Sequence, residues 1–302
     1  MTMTRWLVTG AGGMLGRDLV RVLRDYPSVT VTTLDRGALD ISDADAVAQA
    51  VAGHDVVINA AAWTNVDGAE TDEEAATEIN GRAVAQLARS CAAARARLLH
   101  VSTDYVFAGD AETPYPEDAP TKPVNAYGRS KLVGEEAVLR ALPDLGYVVR
   151  TAWLYGEYGR NFVSTMLRLS AQRDTVEVVD DQRGQPTWSY ALARRLVELG
   201  GTALRGAAPA GVYHATASGE TTWYGLARAV FAGAGLDPDR VRPISGDKFP
   251  LPAPRPSYSV LGHNRWAAAG LVPMARWDDS LTQALSRPGF AELRPASQGP
   301  AF

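Results

Sequence analysis

Cysteine is almost missing. Cys91 stands alone among 302 residues, so no internal disulfide forms and a reducing cytosol is the expected setting. Its place in a helix-forming stretch marks it as a small core residue. Long apolar runs are missing as well. No stretch nears the roughly twenty residues that a bilayer crossing needs, so no membrane association is expected. The opening residues lack the charged, apolar, small-residue order of a leader, and neither a secretory nor an organellar signal is expected. Basic charge is not in surplus: 30 Lys and Arg face 34 Asp and Glu. Without a basic stripe there is no electrostatic case for nucleic acid. The four histidines, His54, His100, His214 and His263, are scattered without ligand spacing. Each is expected to be structural, and no metal site is expected. No internal repeat or low-complexity block occurs.

What the chain does have is alternation. Short apolar runs at Trp6–Thr9, Val29–Asp35, Asp55–Asn59, Leu98–Ser102 and Gly146–Arg150 read as strands. Between them lie helical patterns after Gly16, over about 43–51, over about 71–94, and around Tyr127. This order predicts an α/β fold, a Rossmann-type doubly wound parallel sheet, with ligands at the carboxyl ends of its strands. Past residue 155 the pattern loosens. Helices are expected over 161–172, 188–199, 221–232 and 274–285, strands over 176–179 and 211–214, and a proline-dense ordered loop over 243–256. The division expected is a dinucleotide-binding domain over 1–155, completed by parts of 176–220. A smaller C-terminal substrate-binding lobe follows, mainly over 156–290, and then a frayed tail over 291–302.

Gly10, Gly13 and Gly16 fall at three-residue spacing between the first strand and a helix carrying Leu15, Leu19, Val22 and Leu23. Such a turn brings backbone close to a pyrophosphate, and the helix N-terminus adds amide donors and a favourable dipole. The second strand ends in Asp35, about twenty positions on, where a carboxylate meets the adenosine ribose. Asp35 favours NADH, whereas Arg36 and Arg17 suit the 2′-phosphate of NADPH, so NADPH or NADH stays open.

Tyr127 and Lys131 are four residues apart, which stacks phenol and ammonium on one helix face. A tyrosine titrates near 10 in water. A neighbouring cation is expected to lower that value, as a general acid requires.

Together Gly10-x-x-Gly13-x-x-Gly16, Ser102-Thr-Asp-Tyr-Val-Phe107 and Tyr127-x-x-x-Lys131 resemble the extended short-chain dehydrogenase/reductases. The wording is closest to the dTDP-4-dehydrorhamnose reductase branch. Asn59-Ala-Ala-Ala62 with Thr64, Arg150-Thr151 with Trp153, Asn161-Phe162, Asp181-Gln182, Pro186-Thr187 and Arg255-Pro256 carry that likeness. It runs from about residue 5 to 285.

The resemblance implies reduction of the C4 ketone of a dTDP-linked 4-keto-6-deoxysugar, dTDP-4-dehydro-L-rhamnose, to the alcohol of dTDP-L-rhamnose. It makes Tyr127 the proton donor, Lys131 the holder of the nicotinamide ribose, and Thr103 a hydrogen-bond partner of the ketone oxygen. It puts Gly13, Met14 and Leu15 at the pyrophosphate, Asp35 at the ribose, Asp40 and Ile41 beside the adenine, and Ala62, Trp63 and Thr64 along the groove. Asp104 and Trp153 are implied sugar contacts, the indole offering a platform for the deoxysugar's apolar side. Arg255 is implied at the diphosphate, through a bidentate fork.

Some members bind magnesium through glutamates at a subunit contact. Here Asp18 and Tyr190 occupy two of the corresponding positions. Tyrosine is a poor ligand for that hard ion, so a monomer or weak homodimer without a metal bridge is expected. Rival readings are a 4,6-dehydratase, disfavoured by Tyr105 after Asp104, a 4-epimerase, and a 4-ketoreductase of another dTDP-deoxysugar. A non-catalytic dinucleotide-binding regulatory subunit predicts loss of Thr103, Tyr127 or Lys131, and all three are present.

Overall fold

The computed structural model describes residues 3–293. Most of the expected tail, from residue 294 on, lies outside the described residues. The first half follows the predicted alternation: β1 (Thr4–Thr9), α1 (Met14–Leu23), β2 (Val29–Leu34), α2 (Ala44–Val51), β3 (Val56–Asn59). Then come α3 (Val66–Thr71), α4 (Glu73–Thr77), a π-helical turn (Glu78–Arg82), α5 (Ala83–Ala94), β4 (Arg97–Thr103), α6 (Ala126–Ala141) and β5 (Gly146–Thr151). The second half holds β6 (Leu154–Tyr155), α7 (Phe162–Gln172), β7 (Val176–Val179), β8 (Arg183–Gly184), β9 (Thr187–Trp188) and α8 (Ser189–Leu204). It ends with β10 (Gly211–His214), β11 (Thr221–Thr222), α9 (Trp223–Gly233), β12 (Val241–Ile244), α10 (Arg265–Ala268), α11 (Trp277–Leu285) and α12 (Pro288–Ala291).

Six strands form one sheet in the order β10-β5-β4-β3-β1-β2, every pair parallel. Helices cover both faces, which is why its central strands read as continuous apolar runs. Trp6 and Val8 of β1 pack with Leu15, Leu19 and Val22 of α1 and with Leu192 and Leu196 of α8. Leu7 points the other way, into Val84, Leu87 and Val138 of α5 and α6, where Cys91 is also buried. A separate core, with Val163, Leu167, Val230, Phe231 and Leu281, holds the second lobe together. The chain passes from β1 out to β2 and then back to β3 on its other side, so a crevice opens at the carboxyl ends of β1 and β3.

Two expectations need correction. The single helix expected over 71–94 is interrupted. Asp72 caps α4 by accepting from the Ala75 amide, and the backbone then widens into the π turn. That turn turns the buried Asn80 toward Trp63. Its side chain accepts from the Trp63 amide at 2.9 Å and donates to the Trp63 carbonyl at 3.0 Å and to Ser130 Oγ at 3.0 Å. Satisfying a buried amide thus outweighs helix regularity. The proline-dense segment is also not all loop, since β12 pairs in parallel with β7. Pro243 sits in this two-stranded ladder, away from the interior of the main sheet.

The helix α6 is locked to the sheet by a buried ion pair. Arg150 of β5 donates from Nη2 to Glu135 Oε2 at 2.7 Å and from Nε to both carboxylate oxygens, while Ser102 of β4 donates to Oε1 at 2.5 Å. Removing one partner strands the other charge in the core. Arg150→Met is therefore expected to lower unfolding free energy by about 3–5 kcal/mol. Arg129→Met, which breaks the exposed pair with Glu73, should cost less than about 1 kcal/mol. Urea unfolding of the two variants checks the contrast, and equal losses would contradict it.

Candidate active site

A cleft of ≈ 1220 Å³ runs along the carboxyl edge of the sheet. Gly10, Gly13, Met14, Leu15, Gly16, Asp35, Asp40, Ile41, Ala62, Trp63, Thr64, Thr103, Asp104, Tyr127, Lys131 and Trp153 all line it. Arg255 does not.

At one end the β1–α1 turn makes a cradle. Gly10 has φ +69°, and a Cβ there would stand 2.5 Å from the Ala61 amide nitrogen. No side chain caps α1 at Gly13, so its first amides face the cleft free to take a phosphate. Asp35 Oδ1 accepts from the Gly37 and Ala38 amides at 3.0 and 3.1 Å, holding the exposed carboxylate at the cleft edge. Ser42 bonds the Asp40 carboxylate through hydroxyl and amide and holds it below the usual carboxylate range. Arg36 lines the same cleft. Arg17 lines an adjoining hollow with Arg21, Arg24 and Asp35, its guanidinium 5.4 Å from the Tyr158 ring centre. This donor set fits the phosphates and ribose of a dinucleotide.

At the other end β4 stops at Thr103. The Thr103 hydroxyl accepts from the Tyr105 amide at 3.1 Å and donates to Asp104 Oδ1 at 3.0 Å. Asp104 Oδ2 is buried without a partner, and burial pushes this carboxyl up to about 6 against hydrogen bonds from Ser259 and Thr103. The Tyr127 ring stands edge-on to Tyr105 at 6.1 Å. Burial pushes its phenol upward, with the Asp104 charge second, and only the Thr103 hydroxyl pulls it down. The lowering expected from Lys131 is not there. Lys131 Nζ is turned to the Val101 carbonyl at 2.7 Å and toward His100 at 3.5 Å. Burial brings the ammonium down to about 8, against the opposing charge of Glu135.

Two substrate-side expectations change. Arg255 is drawn away to Asp67 at 3.0 Å and to the Ala253 carbonyl, because a neighbouring carboxylate satisfies its fork. Trp153 lines the cleft, yet Trp223 already stacks on it, ring centres 3.6 Å apart and 7° from parallel. A Cβ on Gly184 would stand 2.5 Å from the same indole. Trp153 also holds φ +46°, a conformation costly for a bulky residue and typical of ligand sites. Sequence reasoning missed Trp223 as a cleft residue. The signal was its position directly after the Thr222 cap of α9, where a large apolar side chain has no preceding turn to cover it.

Asp18 and Tyr190, the two positions that the resemblance associates with magnesium, are engaged in other contacts. Asp18 accepts from Ser189 at 2.5 Å inside the core. The Tyr190 ring has the Arg21 and Arg287 guanidinium groups 5.2 and 4.9 Å from its centre. Among the described residues, no group of three acidic, His or Cys side chains is placed to hold a metal. Likewise no helix there is long and apolar enough to cross a membrane.

A doubly wound sheet with a glycine turn and a Thr–Tyr–Lys set at its carboxyl edge defines a Rossmann-type oxidoreductase of the short-chain dehydrogenase/reductase class. A family model described as RmlD substrate binding domain matches residues 4–289. A Streptomyces griseus protein described as dTDP-4-dehydrorhamnose reductase is 55% identical over 93% of this chain and 92% of its own. A Streptomyces niveus protein described as dTDP-4-keto-6-deoxy-D-glucose reductase is 51% identical over 93% of this chain and 96% of its own. The crystal structure of a Bacillus anthracis dTDP-4-dehydrorhamnose reductase in complex with NADP superposes with TM-score 0.88 at 35% identity, covering 94% of this chain and 99% of that one. The chain belongs to the RmlD family, the dTDP-4-dehydrorhamnose reductases.

Asp104 supplies a stability test. In the folded chain it holds its proton up to about 6 rather than the ordinary 3.8. Folding is therefore favoured fully below about pH 4, and this contribution is lost as pH rises through 6. The loss is on the order of 2–3 kcal/mol. Asp104→Asn should flatten that part of the stability profile, read from urea midpoints between pH 4 and 7. Parallel profiles would show that Asp104 does not titrate there.

Proposed function

We propose that this chain reduces the C4 ketone of dTDP-4-dehydro-L-rhamnose to dTDP-L-rhamnose, with NADPH or NADH as reductant. The observation that carries the reading is one cleft joining the glycine cradle to Thr103, Tyr127 and Lys131, in a family whose Streptomyces griseus member bears that description. Residues 1–155, completed by α8 and β10, serve as the nucleotide domain, and 156–290 otherwise as the substrate lobe. A reducing cytoplasm fits the buried Cys91 thiol, pushed up to about 12 by burial and so unreactive.

When bound, a reduced nicotinamide supplies the hydride. Thr103 bonds the ketone oxygen, and Tyr127 gives its phenolic proton to that oxygen as charge develops on it. The phenol starts with too high a proton affinity to ionise unaided, so it stays loaded as an acid until the alkoxide forms. Lys131, in its ammonium form, holds the ribose through charge-assisted hydrogen bonds. Asp104 and the Trp153–Trp223 pair border the sugar. A second reading, reduction of another dTDP-deoxysugar, is favoured by the Streptomyces niveus relative's description.

Loss of reduced-nicotinamide absorbance with enzymatically prepared dTDP-4-dehydrorhamnose tests the reaction, and the C4 configuration of the product separates the two readings. Tyr127→Phe should cut turnover by about 100- to 10,000-fold while dinucleotide affinity stays nearly intact. Turnover near normal would remove Tyr127 as the acid. The chain is further proposed to be a monomer or weak homodimer without a metal bridge. Gel filtration should give the same elution with and without chelator, and a chelator-sensitive dimer would refute this.

A further inference from the structure

Behind Lys131 lies a polar chain with no part in the proposed hydride and proton transfers. Thr9, Asn59 and His100, at the ends of β1 and β3 and within β4, are each 0–1 % exposed. Asn59 Oδ1 accepts from Thr9 Oγ1 at 2.7 Å and from the Ala61 amide at 3.1 Å. A backbone amide can only donate, so the Asn59 carboxamide cannot be turned over. Its Nδ2 therefore donates to His100 Nδ1 at 3.0 Å. With Nδ1 accepting, a neutral imidazole must carry its hydrogen on Nε2, and Nε2 stands 3.5 Å from Lys131 Nζ. His100 stays neutral, since burial first and the Lys131 charge second hold it well below its ordinary value. The ammonium thus meets an N–H where it needs an acceptor, and the neutral amine meets a donor it can use. Gly134 makes this approach possible: a Cβ there would stand 2.2 Å from the Asn80 carbonyl oxygen and 3.4 Å from His100 Nε2.

The same sheet holds a counterexample. His214 bonds the Gly262 carbonyl through Nδ1 at 3.0 Å, which fixes the hydrogen there and leaves Nε2 to accept from Arg150 at 3.4 Å. One buried histidine is turned to accept from its cation and the other is turned against it.

We propose that His100 is a positioning residue whose Asn59-locked tautomer weakens proton binding at Lys131 and so sets the alkaline limit of turnover. The other charged groups around Lys131 do not account for this. Glu135, on the same helix, strengthens its proton binding but is neutralised by Arg150 of β5. Glu70 and Glu73, from α3 and α4, are spent on the Ala126 amide and Arg129. Tyr127, Asp104 beyond β4 and Glu78 of the π turn line the cleft with it, and any negative charge on them would act in the opposite direction.

The inference rests on the proposed role of Lys131, yet it can be read without turnover. The sequence has three lysines, and Lys122 and Lys248 are exposed, so the side-chain resonances of a lysine-labelled sample can be assigned with a Lys131→Arg variant. Nitrogen shifts of the four imidazoles report the tautomers directly. The expected spectrum has His100 protonated on Nε2, and a proton found on Nδ1 would overturn the proposal even if no variant folds. Asn59→Asp reverses the tautomer and should raise the Lys131 titration by about one pH unit or more, with the alkaline limb of kcat/KM moving alongside. In a His100→Leu background the same change should lose most of its effect. An undiminished shift there would mark a simple charge effect and defeat the idea. Absence of turnover with the dTDP-sugar, with these titrations as expected, would count against the substrate and not against His100.

Discussion

The Glu135–Arg150 pair is the constraint on which the site depends. Tyr127, Lys131 and Glu135 fall at i, i+4 and i+8, on one face of α6. Fixing Glu135 against β4 and β5 fixes the rotation of the whole helix. Because Ser102 shares the carboxylate and directly precedes Thr103, the contact that holds the helix also sets the strand end opposite it. A buried ion pair adds little net stability over apolar packing. Its value here is directional, since a leucine pair would tolerate a small rotation of α6 and a bidentate fork does not.

Burial sets the electrostatic character of the pocket more than pairwise attraction does. It drives the Tyr127 phenol and the Asp104 carboxyl toward their protonated forms and Lys131 toward its neutral form. All three shifts have the same leading cause, the loss of water around the charged state. A site that disfavours charge in this way strengthens whatever charge a ligand brings, because each new ion finds few solvent molecules to screen it.

The elements that build the glycine turn and the Tyr127–Lys131 face of the cleft were largely legible in the sequence. Their signals are local: glycines at three-residue spacing, an acid at a strand end, phenol and ammonium one helical turn apart. Each needs only a single element to be read correctly. What escaped depended on partners distant in the chain. Arg255 looked free for a diphosphate, but Asp67 lies 188 residues away and claims it. The stretch over 71–94 has helical composition throughout, and only the demand of Trp63 for Asn80 explains its π turn. Lys131 was expected to act on its own helix neighbour, whereas the Val101 carbonyl on the adjacent strand offers a closer partner than any residue of α6. Propensity and spacing cannot report such competition, because it is decided after the elements pack.

The substrate half follows from the same logic. Its cleft surface is assembled from segments that share no local motif: Asp104 after β4, Trp153 after β5 and Trp223 at the start of α9. Gln185 fixes the neighbouring loops from the inside. Its carbonyl oxygen accepts from the Leu261 amide and the Thr216 hydroxyl at 2.8 Å each, and its amide donates to the Leu261 carbonyl at 3.2 Å. Ser259, two residues before Leu261, then reaches Asp104. A change of side chain in these loops can therefore alter the cleft without disturbing the sheet, while the turn at Gly10, made of backbone and glycine, has no such freedom. The placement of Thr103, Tyr127 and Lys131 is fixed by the packing of β4 and α6, whereas the far side of the cleft is built by loops that the core only holds in place.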